Sequence, residues 1–112
     1  MSNYQIKKDA YGMYYYLNGK LHREAGPAIV SYGNVMEWYK NGVRHRDNGP
    51  AVEFADGTRV WWVEGKIHRK DGPAVIFYNG DRAWVLNGKT YGHDDDFHED
   101  SWVKFVKTLI FF

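Results

Sequence analysis

The stretch that decides the fold is Trp38-Tyr39-Lys40-Asn41-Gly42-Val43-Arg44-His45-Arg46-Asp47-Asn48-Gly49-Pro50-Ala51. The chain carries near-copies of this stretch on both sides, at a fixed distance. The stretch contains the turn pair Asn41-Gly42. Equivalent pairs follow at intervals of 23 residues along the chain, at Asn18-Gly19, Glu64-Gly65 and Asn87-Gly88. A period of this size predicts a row of similar supersecondary units, each of which buries its apolar face on its neighbours.

Each repeated unit combines an aromatic residue, a turn pair and a charged loop. The aromatic residue stands three positions before the turn pair, at Tyr15, Trp38, Trp61 and Trp84. In the first three units one phrase follows the pair: His22-Arg23-Glu24-Ala25-Gly26-Pro27-Ala28, His45-Arg46-Asp47-Asn48-Gly49-Pro50-Ala51 and His68-Arg69-Lys70-Asp71-Gly72-Pro73-Ala74.

Length and composition limit the class of protein. The 112 residues suffice for one small domain, and the absence of cysteine excludes disulfides and thiolate metal sites. No apolar run reaches the roughly 20 residues that span a bilayer, and the N-terminal residues lack a signal-peptide core. We therefore expect a cytoplasmic protein. The net charge of +1 argues against a dedicated nucleic-acid binder.

Each unit contains two short runs in which β-branched and aromatic residues alternate with others, as in Arg59-Val60-Trp61-Trp62-Val63. Two-residue hairpin turns are predicted between units at Gly33-Asn34, Asp56-Gly57 and Asn79-Gly80. Asn18-Gly19 and its equivalents are predicted to open a longer connection within each unit. The predicted fold is mainly β: a single elongated antiparallel meander of roughly eight strands, made of 23-residue β-hairpin repeats.

The two ends of the single predicted domain, residues 1–112, differ from its middle. We assign residues 4–13 to an N-terminal half-repeat, whose lysines discourage pairing at the open sheet edge, and residues 14–93 to the repeat array. Residues 94–112 are predicted to form an amphipathic capping helix, because Asp96-x-x-Glu99 matches a capping box and an apolar stripe follows it. This helix covers the last hairpin, or it packs on another copy or on a partner.

Both faces of the predicted sheet are rich in aromatic residues. Strand alternation places Trp38, Trp61 and Trp84 on one face and Tyr39 and Trp62 on the other. A large open apolar surface is uncommon on a monomer. Either twist and the long loops cover one face, or a partner protein binds these five residues.

The equivalent histidines His22, His45 and His68 invite comparison with a metal site. Successive copies lie two strands apart, roughly 10 Å, which is too far for shared ligation of one zinc ion. We expect each histidine to form a hydrogen bond within its own loop.

The equivalent arginines Arg23, Arg46 and Arg69 form a parallel row. One interpretation pairs them with acids of the same loops, which are Glu24, Asp47 and Asp71. The other interpretation is a basic rim that binds an acidic partner protein or lipid headgroups.

The sequence offers no arrangement typical of catalysis. The cluster Asp94-Asp95-Asp96 with His93 and His98 contains hard metal ligands, but it is more typical of a helix start. We therefore expect no catalytic residues, no metal, no cofactor and no small-molecule substrate. Repeat arrays present extended surfaces, whereas an enzyme needs one asymmetric pocket.

The phrase aromatic-x-x-Asn-Gly-Lys-x-His, repeated every 23 residues, resembles MORN repeats. Its form Asn-Gly-Lys-x-His-Arg-x-Asp-Gly-Pro-Ala resembles the small repeat proteins of large bacteriophages and giant viruses, over roughly residues 4–97. The resemblance implies a row of β-hairpins and a role in protein interaction, self-association or phospholipid binding. The chain departs from the common MORN pattern, which has His-Gly where His-Arg stands, and in its Gly-Pro-Ala phrase.

Together these features predict a non-enzymatic protein-binding module: a viral accessory protein, as in bacteriophages, that binds and inhibits a host protein such as a defence factor. Its partner is a host or viral protein, bound by the aromatic face or the basic rim. The alternatives are a structural, self-associating module and a peripheral phospholipid-binding protein at a membrane surface. Nucleic acid is not an expected partner.

Overall fold

The computed structural model describes residues 3–93 together with residues 102, 104–106 and 109 near the C-terminus. The described residues form fourteen strands, and the five residues near the C-terminus are helical. The strands are β1 (Tyr4–Lys8), β2 (Gly12–Leu17), β3 (Lys20–Leu21), β4 (Ile29–Ser31), β5 (Met36–Glu37), β6 (Tyr39–Lys40), β7 (Val43–Arg44), β8 (Val52–Glu53), β9 (Arg59–Val60), β10 (Trp62–Val63), β11 (Lys66–Ile67), β12 (Val75–Ile76), β13 (Arg82–Leu86) and β14 (Lys89–His93).

Ten strands form one antiparallel sheet, in the order β1-β2-β4-β5-β8-β9-β12-β13-β14 with β3 paired to β2. β6 pairs with β7, and β10 pairs with β11, in two small sheets of their own. The order follows the chain, so the mainly β, antiparallel meander predicted from the sequence is confirmed. The strands are shorter and more numerous than the eight predicted.

The strand predicted over residues 59–63 is interrupted at Trp61, and the equivalent run of the preceding unit is interrupted at Trp38. The N–H of Trp38 donates to the carbonyl of Ala51 at 2.7 Å, whereas its carbonyl accepts from the N–H of His45 at 3.1 Å. The chain therefore changes partner at this residue, from the main sheet to β7. Trp61 makes the same change, with Ala74 and His68, at 2.8 and 2.9 Å.

The two-residue turns predicted between units were wrong, and the Asn-Gly pairs that open the longer connections are themselves tight turns. The Asn-Gly and Glu-Gly pairs make the tight turns, because both residues of each pair have positive φ; in Asn18-Gly19 the values are 51° and 80°. The turns between units are three-residue loops: Gly57 N–H donates to Phe54 C=O at 3.0 Å, and Phe54 N–H donates to Thr58 C=O at 2.9 Å. The third loop residue has positive φ, which is 94° at Gly57. Sequence pairs alone do not distinguish the two loop lengths.

The register of the main sheet defines its two faces. One row of directly opposite residues lies on a single face, and its members are Ile29, Glu37, Val52, Val60, Val75 and Ala83. Tyr15, Trp38, Trp61 and Trp84 are each one position further along their strands, so they point to the other face. We call this second face the loop face.

The core is densest at the C-terminal end of the sheet. Trp84 and Trp102 are both fully buried, and Leu86 and Val106 complete their cluster. The ring of Tyr91 lies 6.3 Å from that of Trp102. The described helical residues thus pack on the last hairpin of their own chain. The predicted capping box at Asp96-x-x-Glu99 lies outside the described residues.

Candidate functional site

The loops at residues 22–28, 45–51 and 68–74 each place an arginine over the aromatic ring of their own unit. The guanidinium carbons lie 3.9 Å from the ring centre of Tyr15, 3.8 Å from Trp38 and 4.0 Å from Trp61. The arginines are Arg23, Arg46 and Arg69. Each also donates from Nη1 to the carbonyl of the loop proline, at 3.2, 3.0 and 3.0 Å in chain order. The stacking and the hydrogen bond together fix the plane of the guanidinium.

The glycine of each Gly-Pro pair closes the other side of the guanidinium. A Cβ at Gly72 would lie 2.8 Å from Cζ of Arg69, and one at Gly49 would lie 3.0 Å from Cζ of Arg46. Neither glycine has positive φ. Glycine is therefore needed here because it lets the arginine approach the backbone closely, and not because of an unusual backbone conformation. The phrase Arg-x-x-Gly therefore encodes a guanidinium held between a ring and a backbone.

The histidines link neighbouring units. Nδ1 of His22 accepts from the N–H of Asn41 at 3.0 Å, and Nε2 lies 2.7 Å from the carboxylate of Glu24. His45 repeats both contacts, with Glu64 at 3.0 Å and Asp47 at 2.7 Å. An Nδ1 that accepts must be unprotonated, so the neutral ring carries its proton on Nε2 and donates it to the acid. The expected hydrogen bond within the loop is confirmed for His22 and His45, and the link to the next unit is new.

The third unit differs because Lys70 replaces the acid. His68 keeps the link to the next unit, with Nδ1 accepting from Asn87 N–H at 2.9 Å. Burial, and secondly the ammonium of Lys70, lower the pKa of His68. In the second unit the contact with His45 lowers the pKa of Asp47.

The predicted ion pairs between arginine and acid occur in the third loop only, where Arg69 Nε lies 3.3 Å from Asp71. In the first two loops the acids Glu24 and Asp47 contact histidine instead. Sequence spacing did not separate these alternatives, because histidine and arginine are neighbours in the chain. The arginines are half-buried in their stacks, and the basic rim that binds a partner stays a prediction.

Two adjacent grooves run between successive loops. The first has a volume of about 520 Å³ and is lined by Arg23, Glu24, Trp38 and Lys40 among others. The second has about 760 Å³, with Trp61, Val63 and Lys70 in its lining. Arg46, Asp47 and Asn48 line both grooves and form the wall between them. Both signs of charge are present in each groove.

The five predicted aromatic contact residues divide into three environments. Trp38 and Trp61 are half-buried in the lining of the two grooves. Tyr39 and Trp62 lie on the opposite face, as alternation predicts. The prediction that Trp84 contacts a partner was wrong. Its side chain is fully buried against Trp102 and Val106, so it offers no surface to a partner.

One ion pair on the opposite face was missed from the sequence. Arg44 donates from Nε and Nη2 to Glu37 Oε1 at 3.2 and 2.7 Å, and its guanidinium lies 5.1 Å from the ring of Trp62. Equivalent positions in the other units hold apolar or uncharged residues. Positions 37 and 44 carry opposite charges in this unit only, and this joint departure from the repeat could have predicted the pair.

Among the described residues, no group of three or more His, Asp and Glu side chains could hold a metal ion. The predicted cluster around Asp94-Asp95-Asp96 lies outside these residues, except for His93. Within the same part of the chain, no helix has the length and apolar character needed to cross a membrane.

Family models, curated proteins and solved structures were all compared with the chain, and none gives a significant match.

Proposed function

We propose that this chain is a non-enzymatic protein-binding module whose loop face holds an extended segment of a partner protein. The pair of adjacent grooves carries the proposal, because equivalent residues of successive loops build them. Trp38 and Trp61 line the grooves and Arg46 stands between them. Tryptophan and arginine are the side chains that most often anchor protein interfaces.

The spacing of the grooves favours an extended partner segment. Equivalent positions in successive units are two strands apart, about 9.6 Å. One turn of a polyproline II segment, three residues long, advances about 9.3 Å and returns the side chain to the same side. A segment of this kind would present side chains i and i+3 to the two grooves, in the manner of proline-rich peptides on aromatic-lined grooves.

The resemblance to MORN repeats supports two finer parts of the proposal. The first is that the meander is an array of 23-residue hairpin repeats, which agrees with the arginine stacks and histidine links found at that interval. The second is that the module is a viral accessory protein in the host cytoplasm, and that its partner is a host protein whose activity it inhibits. The second part depends on the resemblance alone.

Selection of random peptides displayed on phage against the full chain tests the grooves directly. We expect enriched peptides with apolar or aromatic side chains at i and i+3. Asn48→Tyr adds a bulky ring to the wall that both grooves share, and we expect it to weaken binding of the selected peptides by about tenfold or more.

Ala55→Tyr is the matched control. It adds the same exposed ring at the tip of a hairpin, away from both grooves. Equal binding by the two variants, with unchanged unfolding midpoints, would place the peptide site elsewhere. A failure to enrich any peptide would contradict the proposal.

A further inference from the structure

Strand β1 (Tyr4–Lys8) ends the main sheet with its outer edge unpaired by any described residue. It pairs only with β2, in a regular register that sets Ile6 opposite Tyr15. All five of its residues are exposed, and Tyr4 and Ile6 have 59% and 61% of their surface in solvent. An exposed edge with apolar side chains is a template for a further strand.

The hydrogen bonds show which groups of β1 point outward. Asn18 N–H donates to Asn3 C=O at 2.8 Å, so Asn3 directs its main chain toward β2. Antiparallel pairs alternate, so Gln5 and Lys7 also face β2, whereas Tyr4, Ile6 and Lys8 direct their N–H and C=O groups outward. Tyr15 agrees with this assignment, because its N–H donates away from β1, to Ala28 C=O at 2.7 Å.

The two ends of the sheet differ in how they are protected. The protection of β1 predicted from the sequence consists of Lys7 and Lys8 alone, because the strand has no proline and its register is unbroken. At the other end, the β13–β14 register shifts between Trp84 and Val85, and the ring of Tyr91 contacts Trp102 and Phe105. The edge of β1 is therefore the better template of the two.

We propose that β1 pairs in antiparallel fashion with β1 of a second copy of this chain, about a two-fold axis at Ile6. This register pairs the full length of the strand, with Ile6 opposite Ile6, Tyr4 opposite Lys8 and Gln5 opposite Lys7. The outward groups then form about six main-chain hydrogen bonds. The proposal uses none of the groove residues, so it stands or fails separately from the proposed function.

The charges of β1 allow a second copy to pair in this register, although both copies carry Lys7 and Lys8. No lysine faces a lysine across the axis: Lys8 lies opposite the ring of Tyr4, and Lys7 lies opposite Gln5. Lys7 already directs its ammonium to its own chain, with Nζ 5.0 Å from the ring of Tyr16. If one β1 strand slid by two residues along the other, Lys7 could lie opposite Lys7 of the second copy. Repulsion between the like charges disfavours that register.

Apolar contacts continue across the same axis. Tyr4, Ile6 and Tyr15 line an apolar groove of about 290 Å³ beside β1. A two-fold axis perpendicular to the sheet keeps both loop faces on one side, so the Ile6 side chains meet between two such grooves. Across the paired edges the apolar side chains then follow one another in the order Tyr15, Ile6, Ile6 of the second copy and Tyr15 of the second copy.

Disulfide trapping tests the register, and the chain has no native cysteine to interfere. In Ile6→Cys the two sulfurs lie in a directly opposed pair, with Cα atoms about 5.5 Å apart, which a disulfide spans. In Tyr4→Cys, a matched and equally exposed site, the sulfurs are displaced by four residues, about 13 Å. We expect mild oxidation to convert Ile6→Cys, and not Tyr4→Cys, to a covalent dimer.

Sedimentation of the unmodified chain completes the test. We expect its mass to rise with concentration from 13.1 kDa toward twice that value. Ile6→Pro removes an outward N–H without touching the bonds to β2, and we expect it to remain monomeric with an unchanged unfolding midpoint. A monomer at every concentration, or equal cross-linking of the two cysteine variants, would overturn the proposal.

Discussion

At the scale of single residues, histidine is the group that ties one unit to the next. Its Nδ1 accepts a backbone hydrogen bond from the following unit, and that bond exists only while the ring is neutral. Glu24 and Asp47 receive the Nε2 proton in the first two units. In the third unit Lys70 takes the position of the acid, and burial together with the Lys70 ammonium opposes protonation of His68.

His68 should accordingly titrate below its ordinary pKa of roughly 6.5. Because the unfolded chain binds the proton first, the contribution of His68 to stability is complete above about pH 6.5 and declines as the pH falls toward the folded pKa. Lys70→Glu replaces a repelling ammonium by a carboxylate, and we expect it to raise the pKa of His68 in an NMR titration. Lys8→Glu makes the same charge change at the other end of the sheet. An equal effect of both variants would show that Lys70 does not act locally.

Residue identity alone explained these contacts only in part. The repeated phrase was sufficient to predict that His22 and His45 bond within their loops. It was not sufficient to show that the glycine three residues after Arg46 makes room for a guanidinium, because Gly-Pro is equally typical of a strand start. Contacts between side chains of neighbouring strands depend on register, which the sequence specifies weakly.

At the scale of elements, the helical residues cover the aromatic ring of the fourth unit, as arginine does in the first three units. Tyr15, Trp38 and Trp61 each lie beneath a guanidinium from their own loop. The sequence of the fourth unit lacks the His-Arg phrase of these loops. Trp102 and Val106 pack against Trp84, and the guanidinium of Arg82, from the same strand, lies 5.1 Å from its ring. The apolar stripe predicted this helix correctly, whereas the exposed position assigned to Trp84 was wrong because its cover comes from a distant part of the chain.

We expect Trp102→Ala to destabilise the fold by about 3–5 kcal/mol, since it removes a fully buried ring from the core. Leu109→Ala, at a helical residue with 38% exposure, should cost much less. Urea unfolding followed by circular dichroism measures both. Similar, small losses in both variants would mean that the helix contributes little to the core.

At the scale of the whole molecule, the 23-residue period predicted the meander correctly because it depends on many residues at once. The interruptions at Trp38 and Trp61 escaped prediction, since a strand that changes partner has the same alternation as one that does not. The period also indicates surfaces rather than pockets, and it contains no information about which partner occupies the grooves.

A proposed array of equal units makes a strong claim about deletions. Removal of residues 38–60 joins Glu37 to Trp61, takes out one full period and leaves 89 of the 112 residues. Glu37→Val should accompany it, because Arg44, the partner of Glu37, is lost. Each remaining unit keeps its neighbours, so we expect a cooperative unfolding transition at a lower temperature, as for other linear arrays.

Removal of residues 38–59 with the same substitution differs by one residue, yet it turns every following side chain of the strand to the wrong face. We expect that variant to lose the sheet signal in circular dichroism. If both deletions behave alike, the period is not the unit of this fold.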